Sequence, residues 1–191
     1  MDLYKPLIAL LAIVNPIGVV PFFIAFTQNF SREQRQRTIR VSAFTAFLVI
    51  AVSAVAGLQI IEFCGISIAS FQVGGGTLLL ISALHMLNAQ PAEGKPDDVS
   101  EGNERADAGA SIAVVPLTIP LLTGPATIST MVIYAEKTKY VWQHAVLVGY
   151  GLVIAVVTFL VFSASGRIAK VLGKTGINVM TRLMGLILAA M

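Results

Sequence analysis

Residues 7–26 read LIALLAIVNPIGVVPFFIAF, eight apolar residues, then Asn15-Pro16-Ile17-Gly18, then apolar again to Phe26. The stretch is long enough to cross a bilayer, which takes about 20 apolar residues. Yet its middle holds a helix-ending combination. Pro16 removes a backbone donor and presses on the carbonyl of Ala12, and Gly18 weakens the following turn. By helical rise Asn15 lies about 13 Å into an uncharged run, so the break falls near mid-membrane.

Working outward, four further runs are as free of charge. Residues 6–31, 41–61, 63–92, 108–135 and 140–166 contain no Asp, Glu, Lys or Arg, and together they make up more than two thirds of the 191 residues. The chain is 56% hydrophobic and 12% charged, about half the charge of an ordinary soluble domain. Its mean hydropathy is +0.83. These figures exclude a water-soluble enzyme and a disordered chain. The absence of ten-residue alternation argues against a β-barrel. The net charge of +3 implies no nucleic-acid partner, because the basic residues stand in the gaps between apolar runs, where they set topology. Cys64 reads as a small residue at the edge of its apolar run. With a single basic residue, Lys5, and no small-residue cleavage site, the N-terminal run reads as a retained span.

The expected fold is an all-α integral membrane protein of six transmembrane helices, at about 6–27, 39–61, 66–88, 111–134, 141–164 and 176–191. The last covers only about 22 Å, and its end within GLILAAM predicts truncation. Residues 90–110, PAEGKPDDVSEGNERADAG at their centre, read as a flexible acidic linker between a first three-helix repeat, 1–89, and a second, 111–191. With the first connection on the cytoplasmic side, the inside collects Arg32, Arg35, Arg37, Arg40, Lys95, Arg105, Arg167, Lys170 and Lys174. The outside has Lys5, Lys137 and Lys139, so both termini are expected to face outward.

An offset of 109 residues places Asn15-Pro16 on Gly124-Pro125, Gly57 on Gly166, and Gly76–Leu80 on Gly185–Ala189. Equivalent units with an odd number of spans must lie in opposite orientations, the ground plan of many secondary transporters. The fourth segment repeats the first one's interruption in Thr123-Gly124-Pro125-Ala126-Thr127. Helices 1 and 4 are therefore expected to break near mid-membrane, where the freed backbone groups must face protein or a watery cavity. A half-helix N-terminus suits a carboxylate. Unwound carbonyls with Asn15, Thr123 and Thr127 suit an ammonium group or Na⁺. Together they predict a site for a small zwitterion.

Gln72-Val73-Gly74-Gly75-Gly76 predicts close helix packing. Arg182, an intramembrane charge, is expected to be paired, capped or snorkelling. No carboxylate lies within an uncharged run, which disfavours a proton relay. Hydrolase, zinc-protease, Walker and Rossmann motifs are absent, so neither an enzyme nor a cofactor is expected, and no metal site; Na⁺ enters only as a coupling ion.

Four stretches carry a family resemblance: Asn15-Pro16-Ile17-Gly18 with Pro21-Phe22-Phe23; Gly65-Ile66-Ser67-Ile68; Pro116 to Pro125; and Thr175 to Gly185 around Asn178 and Arg182. As a set they resemble the MarC family, prokaryotic inner-membrane proteins of six spans named for a gene near a multiple-antibiotic-resistance operon. Some members are assigned as transporters of small neutral amino acids such as glycine and alanine. The resemblance implies a multi-pass protein of the cytoplasmic membrane. It also implies a substrate site between helices 1 and 4 at Asn15, Pro16, Gly18, Thr123, Gly124, Pro125 and Thr127; the residues themselves put Gln72, Gly74, Gly75, Gly76 and Arg182 in support. The family often has Arg where this chain has Gln72, and its members usually continue past the equivalent of Met191. The expected partners are a small zwitterionic amino acid, the lipid bilayer and, in a homo-oligomer, further copies of the chain. The expected function is alternating-access transport. Its rivals are a non-transporting scaffold or stress-response protein, and a drug-efflux protein.

Overall fold

A computed structural model describes residues 4–27, 30–88, 122–138 and 140–190, all helical apart from short turns. In chain order the helices are α1 (Tyr4–Val14), α2 (Pro16–Phe26), α3 (Arg32–Phe63), α4 (Ile68–Leu87), α5 (Pro125–Glu136), α6 (Val141–Ser163) and α7 (Ser165–Ala189). The expected linker at 90–110 and the opening of the fourth segment at 111–121 lie outside the described residues.

Four helical stretches among the described residues are long and apolar enough to cross a membrane: Tyr4–Ile24, which joins α1 to α2, then α3, α4, and Trp142–Ser163 of α6. A fifth is reached if the limbs of α7, Ser165–Gly173 and Thr175–Ala189, form one bent span; they meet at 97°. The bend has a local cause. Gly173 sits at φ 59°, a left-handed conformation that glycine adopts without a Cβ clash.

Two boundaries differ from the sequence reading. The second helix starts at Arg32 rather than near residue 39, because a helix boundary need not coincide with the hydrocarbon boundary. Ser31 caps it, accepting from Gln34 N at 3.2 Å while Gln34 Oε1 accepts from Ser31 N at 2.8 Å. The charged opening REQRQR is thus helical and stands outside the apolar run. The sixth segment is preceded by a helical limb, Ser165–Gly173, where no helix was expected.

Some boundaries recur at the offset of 109. α2 and α5 both open on proline, at 16 and 125. α3 and α6 start at 32 and 141, and Gln143 Oε1 accepts from Tyr140 N at 3.3 Å as Gln34 does from Ser31.

Packing is dominated by pairs joining the first four helices to the last three: α3 on α6 and α5, α4 on α7 and α5, and α2 on α7 and α6. Small residues permit these approaches. A Cβ on Gly57 would strike Val132, and one on Gly185 would come within 3.0 Å of the Ala83 carbonyl oxygen. The larger core runs through Leu10, Phe23, Ile50, Met131, Ile154 and Phe162; a smaller one joins Ala9, Ile13, Ala83, Ala126 and Leu188.

Candidate functional site

The helix stops for a single residue at Asn15, and the reason is local. A residue preceding proline is pushed out of the right-handed helical region, and asparagine is among the few side chains that tolerate the left-handed one. Asn15 takes φ 37° and ψ 63°. Its N–H still closes the last turn of α1 on the Leu11 carbonyl at 3.1 Å. Its side-chain oxygen caps α2, accepting from Gly18 N at 3.3 Å. Pro16 opens α2, where its missing donor costs nothing to that helix. The Ala12 carbonyl, however, loses the N–H that a continuous helix would have offered it. Asn15 itself is buried, 5% exposed, and Gly18 is half-buried.

Gly18 is the contact point with a third element. A Cβ there would collide with the Asn15 amide nitrogen and lie 2.8 Å from Thr181 Oγ1. Thr181, on the second limb of α7, therefore belongs beside the break. The sequence reading took Arg182 from this limb, and Arg182 is exposed. Thr181 was legible only as the counterpart of Gln72 at the offset of 109.

At the second interruption Gly124 is extended, Pro125 opens α5, and no side chain caps the helix. The Gly124 carbonyl accepts from Thr127 N at 3.0 Å. Thr123 and Thr127 are 0% and 1% exposed, whereas Pro125 points outward and is exposed. The two interruptions are tied into the same cores: Val14 and Leu122 in one, Ile13 and Ala126 in the other.

Two hydroxyls of α5 depart from the common pattern, as does that of Thr158 on α6. Elsewhere Thr27, Thr38, Ser53 and Thr77 donate to the carbonyl four residues back, at 2.6–2.9 Å. Thr127 and Thr130, three apart and so on one face of α5, are buried with hydroxyls that have no hydrogen-bond partner among the described residues. Thr130 was not among the residues singled out from sequence, although it closes the same Thr-Ile-Ser-Thr run. A buried hydroxyl left unpaired costs about 1–3 kcal/mol.

Of the glycine cluster only Gly75 meets α5: a Cβ on it would lie 2.9 Å from Ser129 Cβ. Gly74 and Gly76 face open space, and Gln72 is half-buried. Among the described residues no group of His, Cys, Asp and Glu is arranged to hold a metal.

Comparison with known proteins finds integral membrane proteins. The profile of the MarC family integral membrane proteins matches residues 2–191. The UPF0056 membrane protein YvbG of Bacillus subtilis is 38% identical over 186 residues, covering 95% of this chain and 86% of its own length. The UPF0056 membrane protein of Buchnera aphidicola subsp. Schizaphis graminum is 35% identical over 190 residues, with 98% and 86% covered. The UPF0056 membrane protein YhcE of Escherichia coli is 34% identical over 193, again with 98% and 86%. No solved structure matches. A chain matched over nearly its whole length, with apolar helices long enough to span a bilayer, belongs to the MarC family of integral membrane proteins.

Proposed function

We propose that the protein is a secondary transporter of small neutral amino acids, of glycine or alanine size, working by alternating access between two inverted three-helix units. The observation that carries this reading is the pair of buried, unpartnered hydroxyls of Thr127 and Thr130 on the helix that opens at the second interruption. Polar groups kept unpaired at a cost of about 1–3 kcal/mol each have a use when a ligand pairs them. The ammonium group of the substrate donates to these hydroxyls, and the uncapped N-terminus of α5 receives the carboxylate. Asn15 and Thr181, which meet beside Gly18, are the polar groups offered by the first interruption. Na⁺ coupling fits better than a proton relay, because the site residues are all neutral.

The repeat reading is supported by the starts of α2 and α3 recurring in α5 and α6 at the offset of 109. The packing agrees with an exchange of the two sets: α3 on α6 and α4 on α7 map onto themselves, α3 on α5 maps onto α6 on α2, and α2 on α7 onto α5 on α4. Such pairs let one unit rock against the other about a shared site.

Uptake of labelled glycine and alanine into proteoliposomes, with and without a Na⁺ gradient, tests the proposal. Uptake or exchange above protein-free liposomes is the expected result. Absence of uptake, exchange and efflux for every neutral amino acid tested would overturn it.

A further inference from the structure

Away from the interruptions, a cleft of about 490 Å³ opens where the start of α3 meets the junction of α6 and α7. Four cations line it, Arg32 and Arg35 from α3 and Arg167 and Lys170 from α7, together with Gln36 and Gly166, and no carboxylate is among its lining residues. Arg35 is held in place from two sides. It donates to Ser165 Oγ at 2.8 Å, and its guanidinium lies 5.3 Å from the ring of Phe23, which stacks on Phe162. Ser165 itself is fully buried. Gly166 opens the wall, since a Cβ there would meet nothing within 4 Å.

Depth says what such a cleft meets. α3 has 32 residues and is about 48 Å long, against a hydrocarbon core of about 30 Å. Its uncharged run, 41–61, fills that core, so Arg32 and Arg35 stand in the headgroup layer. Arg167 and Lys170 directly follow the uncharged run of α6 and reach the same layer. Like charges gathered in a concave site without a carboxylate repel one another, and an anion relieves this. Arginines suit phosphate oxygens by their forked donor geometry, and the lysine ammonium adds a point charge.

We infer that this cleft is a binding site for a phosphate group, presented by the headgroup of an anionic membrane lipid or free in solution, and that it ties the start of α3 to the first limb of α7. Clusters of basic residues at this level recognise anionic headgroups, each cation contributing to the attraction.

The test uses the full chain in nanodiscs of phosphatidylcholine, measuring thermal stability and native mass spectra as phosphatidylglycerol is titrated in one arm and inorganic phosphate in another. Phosphatidylglycerol is expected to remain bound and to raise the melting temperature of the wild type. Arg32→Gln/Arg167→Gln/Lys170→Gln is expected to bind at least tenfold more weakly, while Arg37→Gln/Arg40→Gln, which removes charge from the same helix outside the cleft, changes binding less than twofold. Gly166→Asp, whose side chain enters open space, acts as an independent charge reversal and lowers affinity likewise. A response to lipid alone assigns the phosphate to a headgroup; a response to inorganic phosphate as well assigns a general phosphate site. Equal binding by the triple variant and the wild type, or no preference for phosphatidylglycerol over phosphatidylcholine together with no response to phosphate, would overturn the inference.

Discussion

The smallest decisive unit is Asn15. Its left-handed backbone, its cap on Gly18 and its place before Pro16 are one device, which ends α1 and restarts α2 within a single residue. Gly18→Ala is expected to destabilise by about 1–3 kcal/mol, since the added methyl overlaps the Asn15 amide and crowds Thr181. The readout is a lower melting temperature in detergent, and an unchanged one would show that Thr181 does not pack against this turn. The interruption itself was legible, because an asparagine before proline in an apolar run has few other conformations. Thr181 was not, since a contact between residues 18 and 181 depends on how the second limb of α7 docks. The unpaired state of Thr127 and Thr130 was equally hidden: sequence shows a hydroxyl but not whether the carbonyl four residues back receives it.

Among the elements, α4 and α5 show the same limit. Three consecutive glycines announced close packing but not which of them faces a neighbour, and among the described residues only Gly75 does. Gly75→Ala is therefore expected to lower stability by about 1–3 kcal/mol through crowding against Ser129. Gly74→Ala and Gly76→Ala face open space and gain up to about 1 kcal/mol from better helix propensity. Thermal unfolding of the three single variants distinguishes them, and a common effect of one sign would contradict this packing. The unexpected first limb of α7 has a similar origin. Its apolar pattern is too short to read as a span, and the turn that separates it rests on the positive φ of Gly173, a feature no periodicity reports.

Across the whole molecule the packing joins early helices to late ones, and the basic residues gather at shared ends. Counting those cations predicted orientation; it did not show that four of them converge on one cleft. Orientation has its own probe in Cys64, the chain's single cysteine, exposed in the turn between α3 and α4. With the Arg32–Arg40 end of α3 cytoplasmic, this turn faces outward. A membrane-impermeant maleimide is expected to label Cys64 in intact spheroplasts, and labelling only after permeabilisation would reverse the topology. The central claim concerns the buried hydroxyls, and it separates stability from function. Replacing Thr127 and Thr130 by Val keeps their shape and removes the unpaired polar atoms, so the fold is expected to hold or gain stability. The most direct measurement is counterflow of labelled alanine in proteoliposomes of wild type and Thr127→Val/Thr130→Val, matched for folded protein. A drop of at least tenfold in the variant, with an equal or higher melting temperature, is the result predicted; wild-type counterflow in the variant would contradict it.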